Sequence, residues 1–249
     1  MVSLRLDRLS ARYGRRQILA EITTPTFHGG QVVALLGPNA AGKSTLFRRV
    51  FGVLKGSGQA ILEGARQDRP MAYMTQDNGA SAVLTVYEAV LLARMQGRGM
   101  KVQPQDLTQV ERALAELGIA DLSERDIGDL SGGQRQMVNA AQALVQEPEV
   151  LLLDEPTSAL DLHRQVGLLT ILRRLASERE MLILVAIHDL GQALRFTDQA
   201  MLLEQGRLVA CGATKDVVTS ELLERVYRVR ARVEPCSMGV PQLIVEDAI

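Results

Sequence analysis

The chain has 249 residues and nearly balanced charge, with 28 Lys and Arg against 29 Asp and Glu. This length fits one large α/β domain, alone or with a subdomain, that buries most of its unfolded surface. The net charge of −1 and the absence of Trp argue against a nucleic-acid partner, because neither a basic field nor many aromatic platforms for bases are available.

The sequence also lacks the patterns of export and of membrane insertion. The first residues have no apolar signal-peptide core, and no apolar run approaches the roughly 18 residues that would span a bilayer. Cys211 and Cys236 have no partner at a metal-ligand spacing, which predicts ordinary reduced thiols in a cytosolic protein. Any membrane role is therefore expected to require a separate subunit.

Short strands are predicted over the first thirty residues. Leu4, Leu6 and Leu9 nearly alternate with polar residues, which is the period of a strand. Residues 17–22 form a second run after a turn at Tyr13-Gly14. These runs predict an antiparallel β subdomain at the beginning of the chain.

A phosphate-binding loop is the most informative motif of the chain. Residues 37–45 match the pattern G-x-x-x-x-G-K-[ST], between a predicted buried strand at 31–36 and the start of a helical pattern. In such a loop backbone N–H groups surround a phosphate, and the helix N-terminus adds its positive dipole. Lys43 is expected to contact the β- and γ-phosphates, and Ser44 to ligate Mg²⁺. The residues predicted to bind the nucleotide here are Gly37, Pro38, Asn39, Ala40, Ala41, Gly42, Lys43, Ser44 and Thr45. The alternative is a glycine-rich turn that merely starts a helix.

Helical periodicity replaces the strand pattern in the middle of the chain. After strands at 60–62 and 71–74, residues 85–88 form a capping box that opens a helix. A second helix begins at Pro104, and a third covers residues 131–146. The second helix is expected to bury one face, formed by Leu107, Val110, Leu114 and Leu117.

Two consecutive glycines follow the residue that caps the third helix. Ser131 and Gln134 form a capping box, which alone could account for the local sequence. Gly132 and Gly133 each weaken a helix by roughly 1 kcal/mol relative to Ala, and capping does not explain them. Bare backbone at a helix N-terminus suits a close approach by another molecule, such as a phosphate.

Two carboxylates follow the continuous apolar run at residues 150–153. Such a run is typical of a parallel strand covered on both faces, and ligands of parallel sheets lie beyond the carboxyl ends of the strands. Downstream of a phosphate loop, Asp154 is expected to hold Mg²⁺ and Glu155 to deprotonate the attacking water. The alternative is a strand that simply becomes polar at the surface.

Strand and helix alternate over the remaining residues. The predicted elements are a helix at 162–177, a buried strand at 181–187, a helix capped by Asp189, a hairpin at 201–209 and, beyond Thr219, a short helix and two edge strands near 229–233 and 243–245.

Together these elements predict an α/β fold. We expect a P-loop NTPase core with a mixed, largely parallel sheet and flanking helices, an N-terminal antiparallel β subdomain and an inserted helical subdomain. The expected division of a single domain spanning 1–249 is a nucleotide-binding core at 1–77 and 147–215, a helical subdomain at 78–146 and a short C-terminal extension at 216–249.

The order of the motifs resembles that of the nucleotide-binding subunit of an ABC transporter, from near residue 3 to about residue 215. The segments that carry the resemblance are Gly37–Thr45, Gln76, Leu130–Gln134, Asp154-Glu155, Ser158-Ala159-Leu160-Asp161 and His188. The resemblance implies Mg²⁺-dependent ATP hydrolysis by a dimer. Each ATP would lie between the phosphate loop of one protomer and Ser131, Gly132, Gly133 and Gln134 of the other.

The resemblance also implies individual roles. Tyr13 is similar to the aromatic residue that stacks on adenine, and Asp161 to an aspartate of the dimer interface. The implied catalytic residues are Glu155, His188, Gln76 and Lys43, and the implied metal ligands are Ser44, Gln76 and Asp154. Each residue also has an alternative without a functional role. Tyr13 could only pack in a turn, and Gln76 could be a solvated strand end. Asp161 could only cap a helix, and His188 could be a neutral histidine of the core.

Two features depart from the family pattern. Ala40 occupies a position where the family usually has Gly, so its backbone is expected to have a negative φ. The segment from Lys43 to Gln76 is short for importers of this kind, which changes the surface expected to contact a membrane subunit.

Three segments, 85–94, 188–196 and 221–227, resemble the ATPases of ferric siderophore, haem and cobalamin importers. This resemblance implies two transmembrane permease subunits and, indirectly, a substrate-binding protein, with the chain at the cytoplasmic face of the membrane. Because fold does not determine cargo, the assignment is by analogy. The alternatives are an exporter ATPase, an importer ATPase for another substrate, and a soluble ABC ATPase.

Overall fold

The computed structural model describes residues 1–75, 84–96, 99 and 101–249. The strands are β1 (Ser3–Asp7), β2 (Leu9–Tyr13), β3 (Arg16–Ile22), β4 (Phe27–His28), β5 (Val32–Leu36), β6 (Gln59–Glu63), β7 (Met71–Met74), β8 (Val150–Asp154), β9 (Leu182–Ala186), β10 (Gln199–Glu204), β11 (Arg207–Ala213), β12 (Val229–Pro235) and β13 (Pro241–Ala248). The α-helices are α1 (Lys43–Val50), α2 (Val86–Met95), α3 (Pro104–Glu116), α4 (Gly132–Leu144), α5 (Leu162–Arg179), α6 (Leu190–Phe196), α7 (Thr214–Val217) and α8 (Ser220–Leu222), and a π-helical turn follows at Leu223–Tyr227.

A six-stranded sheet in the order β11-β10-β5-β9-β8-β7 forms the centre of the molecule. Its neighbouring strands are parallel except for β10 and β11, which form the predicted hairpin. All residues of β5, β8 and β9 are buried, as expected of strands covered on both faces. Because these strands are adjacent and parallel, the loop after β5, Asp154 and the residues after β9 lie at one edge of the sheet.

Antiparallel strands from the beginning of the chain cover one side of this sheet. The alternating leucines predict these strands, which form the ribbon β2-β3 and, together with the later strand β6, the sheet β4-β1-β6. Their buried side chains share one apolar cluster with α1 and the central strands, including Leu4, Leu6, Leu9, Leu19, Ile22 and Phe47.

Helices α2, α3 and α4 form a helical block between β7 and β8. The predicted capping box at the start of α2 is present, since Thr85 Oγ1 accepts a hydrogen bond from Glu88 N and Glu88 Oε2 accepts one from Thr85 N. Arg94 is buried in this block and pairs with Asp106 at 3.1 Å and with Glu147 at 2.8 Å. These ion pairs join α2 to α3 and to the residues after α4.

The predicted buried face of α3 is wrong at its first position. Leu107 is 38% exposed, whereas Val110, Leu114 and Leu117 are buried. The buried stripe instead begins at Asp106, whose carboxylate pairs with Arg94. A buried ion pair therefore takes the place that a purely apolar pattern assigns to leucine.

The two predicted C-terminal strands exist but are not edges of the central sheet. In the described part of the chain, β12 and β13 pair only with each other, from Val229 opposite Ala248 to Pro235 opposite Pro241. Strand β13 packs against α6. The ribbon is therefore held by helix contacts rather than by the backbone of the main sheet.

The largely parallel sheet with flanking helices, the N-terminal antiparallel strands and the inserted helices confirm the predicted fold class. Within the described ranges, no helix has both the length and the apolar character needed to cross a membrane.

Candidate active site

The phosphate loop connects β5 to α1 and lines a cavity of about 520 Å³ together with Glu155 and His188. Lys43 is the first residue of α1, and its side chain is buried. Its Nζ donates to the carbonyl oxygens of Gly37 at 2.8 Å and Pro38 at 3.3 Å. Burial lowers the pKa of Lys43, and the carboxylates of Glu155 and Asp154 oppose this shift. The loop thus holds an ammonium group beside two carboxylates.

Glycine is required where the chain leaves β5. Gly37 has φ of 144°, and a Cβ there would lie 2.3 Å from the carbonyl oxygen of Leu203 on the neighbouring strand. Such an approach is far inside van der Waals contact, and positive φ also disfavours other residues. The first glycine of the motif is therefore needed for packing against β10, independently of any ligand.

The expectation of a negative φ at Ala40 is wrong. Ala40 has φ of +62°, in the left-handed region, and its side chain is exposed. The loop conformation that suits glycine is thus kept although alanine occupies the position. Left-handed backbone costs an alanine roughly 1–2 kcal/mol, so this residue strains the loop locally.

Ala40→Gly is therefore expected to stabilise the protein by about 1 kcal/mol, because glycine relieves the strain and little packing is lost. The melting temperature should rise by about 2–4 °C for a chain of this size. Ala65→Gly is the matched control, since Ala65 is an exposed loop alanine that is absent from the positive-φ residues, and it should be neutral or destabilising. Equal shifts of Tm in both variants would contradict the strain at residue 40.

Asp154 ends β8 as a buried carboxylate next to the loop. Its Oδ2 accepts a hydrogen bond from the Tyr73 hydroxyl at 3.2 Å, while Oδ1 is fully buried and has no hydrogen-bond partner among the described residues. Burial raises the pKa of Asp154, and interactions with the hydroxyls of Ser44 and Tyr73 oppose this shift. An unpaired buried acceptor is costly unless another ligand satisfies it.

These residues fit a hard divalent cation. Carboxylate and hydroxyl oxygens are suitable ligands for Mg²⁺, which usually completes its shell with water and substrate phosphates. No group of three or more His, Cys, Asp or Glu residues with metal-site spacing occurs in the described part of the chain. Asp154 and Ser44 are the residues that would hold the ion, with water and phosphate oxygens of a bound nucleotide as its other ligands.

Glu155 and His188 both line the cavity and contact each other directly. Glu155 follows β8, His188 follows β9, and Glu155 Oε1 lies 2.5 Å from His188 Nε2. Glu155 has φ of +53°, a strained conformation for a non-glycine residue. The structure thus brings together three of the predicted catalytic residues, Glu155, His188 and Lys43.

The cap of α4 is present as predicted, but one of its glycines has an explanation within the chain. Ser131 Oγ accepts from Gln134 N at 3.2 Å, and Gln134 Oε1 accepts from Ser131 N at 3.0 Å. A Cβ on Gly133 would lie 2.9 Å from the carbonyl oxygen of Ala159, whereas one on Gly132 would meet only an ordinary contact at 3.8 Å. Contacts within the chain therefore account for Gly133 but not for Gly132.

The other predicted residues lie around this centre. Asp161 is the N-cap of α5, with its carboxylate accepting from Arg164 N at 2.8 Å, so the alternative role as a helix cap is present. Tyr13 is 46% exposed at the end of β2, and its hydroxyl interacts with Arg48 of α1. Gln76 lies outside the described residues. The described lining of the cavity does not include Ser131, Gly132, Gly133 or Gln134.

Sequence reasoning did not identify Tyr73 or Gln136 as part of the site. Tyr73 lies on β7, and its contact with Asp154 depends on the pairing of β7 with β8, which the sequence does not specify. Gln136 Nε2 donates to the carbonyl oxygen of Glu155 at 2.8 Å. The signal in the sequence was the position of Gln136, two residues after the capping box. A glutamine that is buried near the start of this helix needs a hydrogen-bond partner, which could have pointed to the neighbouring site.

The fold and the loop at residues 37–45 define a P-loop nucleoside triphosphatase. The sequence profile of the ABC transporter family matches residues 22–158. The chain is 36% identical over 244 residues to the iron(3+)-hydroxamate import ATP-binding protein of Bacillus subtilis (strain 168), covering 94% of this chain and 90% of that protein. It is 36% identical over 256 residues to the hemin import ATP-binding protein of Bradyrhizobium diazoefficiens, covering 96% and 93%.

A solved structure of a proposed metal-chelate type ABC transporter, in an inward-facing conformation, superposes with a TM-score of 0.86 at 26% identity. The match covers 99% of this chain and 98% of that chain. The chain therefore belongs to the ABC transporter family, and it is an ATP-binding and ATP-hydrolysing subunit.

Proposed function

We propose that this subunit powers the import of a metal chelate and that Lys43, Ser44, Asp154, Glu155 and His188 form its hydrolytic centre. The observation that carries the assignment of the centre is that Lys43, Ser44, Glu155 and His188 line one cavity, with Asp154 directly before Glu155 at the end of β8. Lys43 contacts the phosphates, and Ser44 and Asp154 are the residues that would hold Mg²⁺. When bound, Mg²⁺ would neutralise part of the phosphate charge. Glu155 accepts a proton from the attacking water, and His188 orients Glu155.

The site is completed by a second copy of the chain. The exposed N-terminus of α4, with Ser131 and Gly132, contacts the nucleotide held by the opposite protomer, and Gln134 keeps that terminus capped. This explains why these residues do not line the cavity of their own protomer. Asp161, with a side chain that is 67% exposed, lies at the same dimer interface. Tyr13 stacks on adenine, for which its exposed ring is available.

The helical block offers a docking surface for a permease. A groove of about 600 Å³ beside α2 is lined mainly by apolar side chains, and Leu92 and Val102 are 52% and 41% exposed there. Exposed apolar grooves of this kind mark protein interfaces. In the dimer, the groove of each protomer would hold a cytoplasmic helix of one of two permease subunits. This contact would keep the subunit peripherally at the cytoplasmic face of the membrane. The permeases in turn receive cargo from a substrate-binding protein.

The cargo is proposed to be a ferric siderophore, haem or cobalamin. Support comes from similarity over nearly the whole chain to import ATPases for iron hydroxamate and hemin, and to a proposed metal-chelate transporter. The surface of the helical block must fit one permease. Sequence similarity to other subunits on that surface therefore reflects a similar permease, and the permease determines the cargo.

A gene deletion tests the cargo. The deletion strain should lose uptake of one such chelate and growth on it as sole iron or cobalamin source, and the intact gene should restore both. The Glu155→Gln gene should fail to restore either, which links uptake to hydrolysis. Unchanged chelate uptake, with impaired uptake of a sugar or an amino acid instead, would contradict the proposed cargo and leave the ATPase assignment intact.

A further inference from the structure

A buried glutamine of the helical block holds the backbone of Glu155. Gln136 lies in the second turn of α4, and its side chain is 7% exposed. Its Nε2 donates to the carbonyl oxygen of Glu155 at 2.8 Å. The same oxygen accepts from Ser158 Oγ at 3.0 Å and from Ser158 N at 3.3 Å. Of these three donors, only Gln136 comes from outside the turn that follows β8.

The backbone that Gln136 holds is strained. Glu155 has φ of +53°, which a non-glycine residue keeps only when the surrounding structure fixes it. The direction of its side chain depends on that conformation, and the side chain reaches His188 at 2.5 Å. Small rotations of the peptide after Glu155 would therefore change where the carboxylate points within the cavity.

Helix α4 approaches this turn at a second point. The close contact between Gly133 and the carbonyl oxygen of Ala159 leaves no room for a side chain. The beginning of α4 thus packs on residues 155–159 through one hydrogen bond and one close backbone contact. A shift of α4 cannot occur without moving this turn or breaking both contacts.

We propose that Gln136 is a positioning residue for Glu155, through which the helix that carries Ser131 and Gly132 controls the hydrolytic centre of its own protomer. The inference rests on the proposed role of Glu155 as the base. It gives the helical block a direct connection to hydrolysis in the same chain, in addition to the contact of its N-terminus with the opposite protomer.

Gln136→Met tests this role because Met has a similar size but no N–H donor. Gln142→Met is the matched control: Gln142 lies on the same helix, and its Nε2 donates to the carbonyl oxygen of Ala89 at 3.2 Å, away from the cavity. We expect kcat of Gln136→Met to fall about 10- to 100-fold, as small misplacements of catalytic groups do. The KM for ATP should stay within about 2-fold, and kcat of Gln142→Met should be unchanged.

A second variant guards against a folding defect. Gln136→Asn keeps the polar amide but is one methylene shorter, so it should lose the bond to Glu155 and show the same fall in kcat. Thermal unfolding and ATP binding are measured for all variants. The inference would be overturned if both Gln136 variants had the same kcat as Gln142→Met. It would also be overturned if kcat and ATP affinity fell in parallel in the Gln136 variants. Glu155→Gln run alongside separates the two claims, because wild-type turnover in that variant would reject Glu155 as the base.

Discussion

Lys43→Ala is expected to weaken ATP binding by about 100-fold and to reduce hydrolysis below detection. The Lys43 ammonium group is buried beside the cavity and bonds to two loop carbonyls, so it is already placed where phosphate oxygens would arrive. A hydrogen bond to a charged group contributes about 1.5–3 kcal/mol, and each 1.4 kcal/mol changes an equilibrium constant tenfold. Loss of this cation also removes a positive charge from beside the carboxylates of Asp154 and Glu155.

Binding of a fluorescent ATP analogue and release of phosphate measure the two effects. Lys55→Ala is the matched control, since Lys55 is an exposed lysine shortly after α1 and does not line the cavity. That variant should bind and hydrolyse ATP normally. An affinity of Lys43→Ala within twofold of wild type would show that the loop binds the phosphates without this side chain.

Glu155→Gln is expected to reduce hydrolysis about 10²- to 10⁴-fold while leaving ATP binding intact, because the amide keeps the shape of the side chain but cannot accept the proton. The 2.5 Å contact with His188 can be retained, since an amide oxygen still accepts a hydrogen bond. Phosphate release under saturating ATP measures the loss.

The control for this substitution is Glu21→Gln. Glu21 also has a left-handed backbone, with φ of 51°, but it lies at an exposed position of β3 outside the cavity. Its variant should hydrolyse ATP at the wild-type rate. Turnover of Glu155→Gln within a few fold of wild type would remove Glu155 from the mechanism.

Features set by local sequence were predicted correctly. The phosphate loop, the capping boxes at Thr85 and Ser131, and the carboxylates at the end of β8 all depend on residues close together in the chain. The meeting of the phosphate loop and the two carboxylates at one edge of the sheet followed from a general property of parallel strands. A local sequence motif and the topology of parallel strands are enough to predict these features.

Features set by tertiary packing were not predictable in the same way. The left-handed φ of Ala40 depends on the geometry of the whole loop, and Leu107 is exposed because a buried ion pair of Asp106 replaces it. The close approach of Gly133 to Ala159 and the bond from Gln136 to Glu155 join segments whose relative placement no local pattern gives. The sequence indicated which chemistry is present, whereas the structure shows what holds it in place.

The composite site between two copies of the chain is tested most directly by the mass of Glu155→Gln in solution with saturating Mg-ATP, measured by light scattering. The proposal predicts a species of twice the protomer mass, which reverts to the protomer when Ser131→Arg is added. Ser131 is exposed, so that second substitution should leave ATP binding by the protomer intact. A protomer mass for Glu155→Gln with ATP bound, or a dimer that persists with Ser131→Arg, would contradict the proposed ATP sandwich.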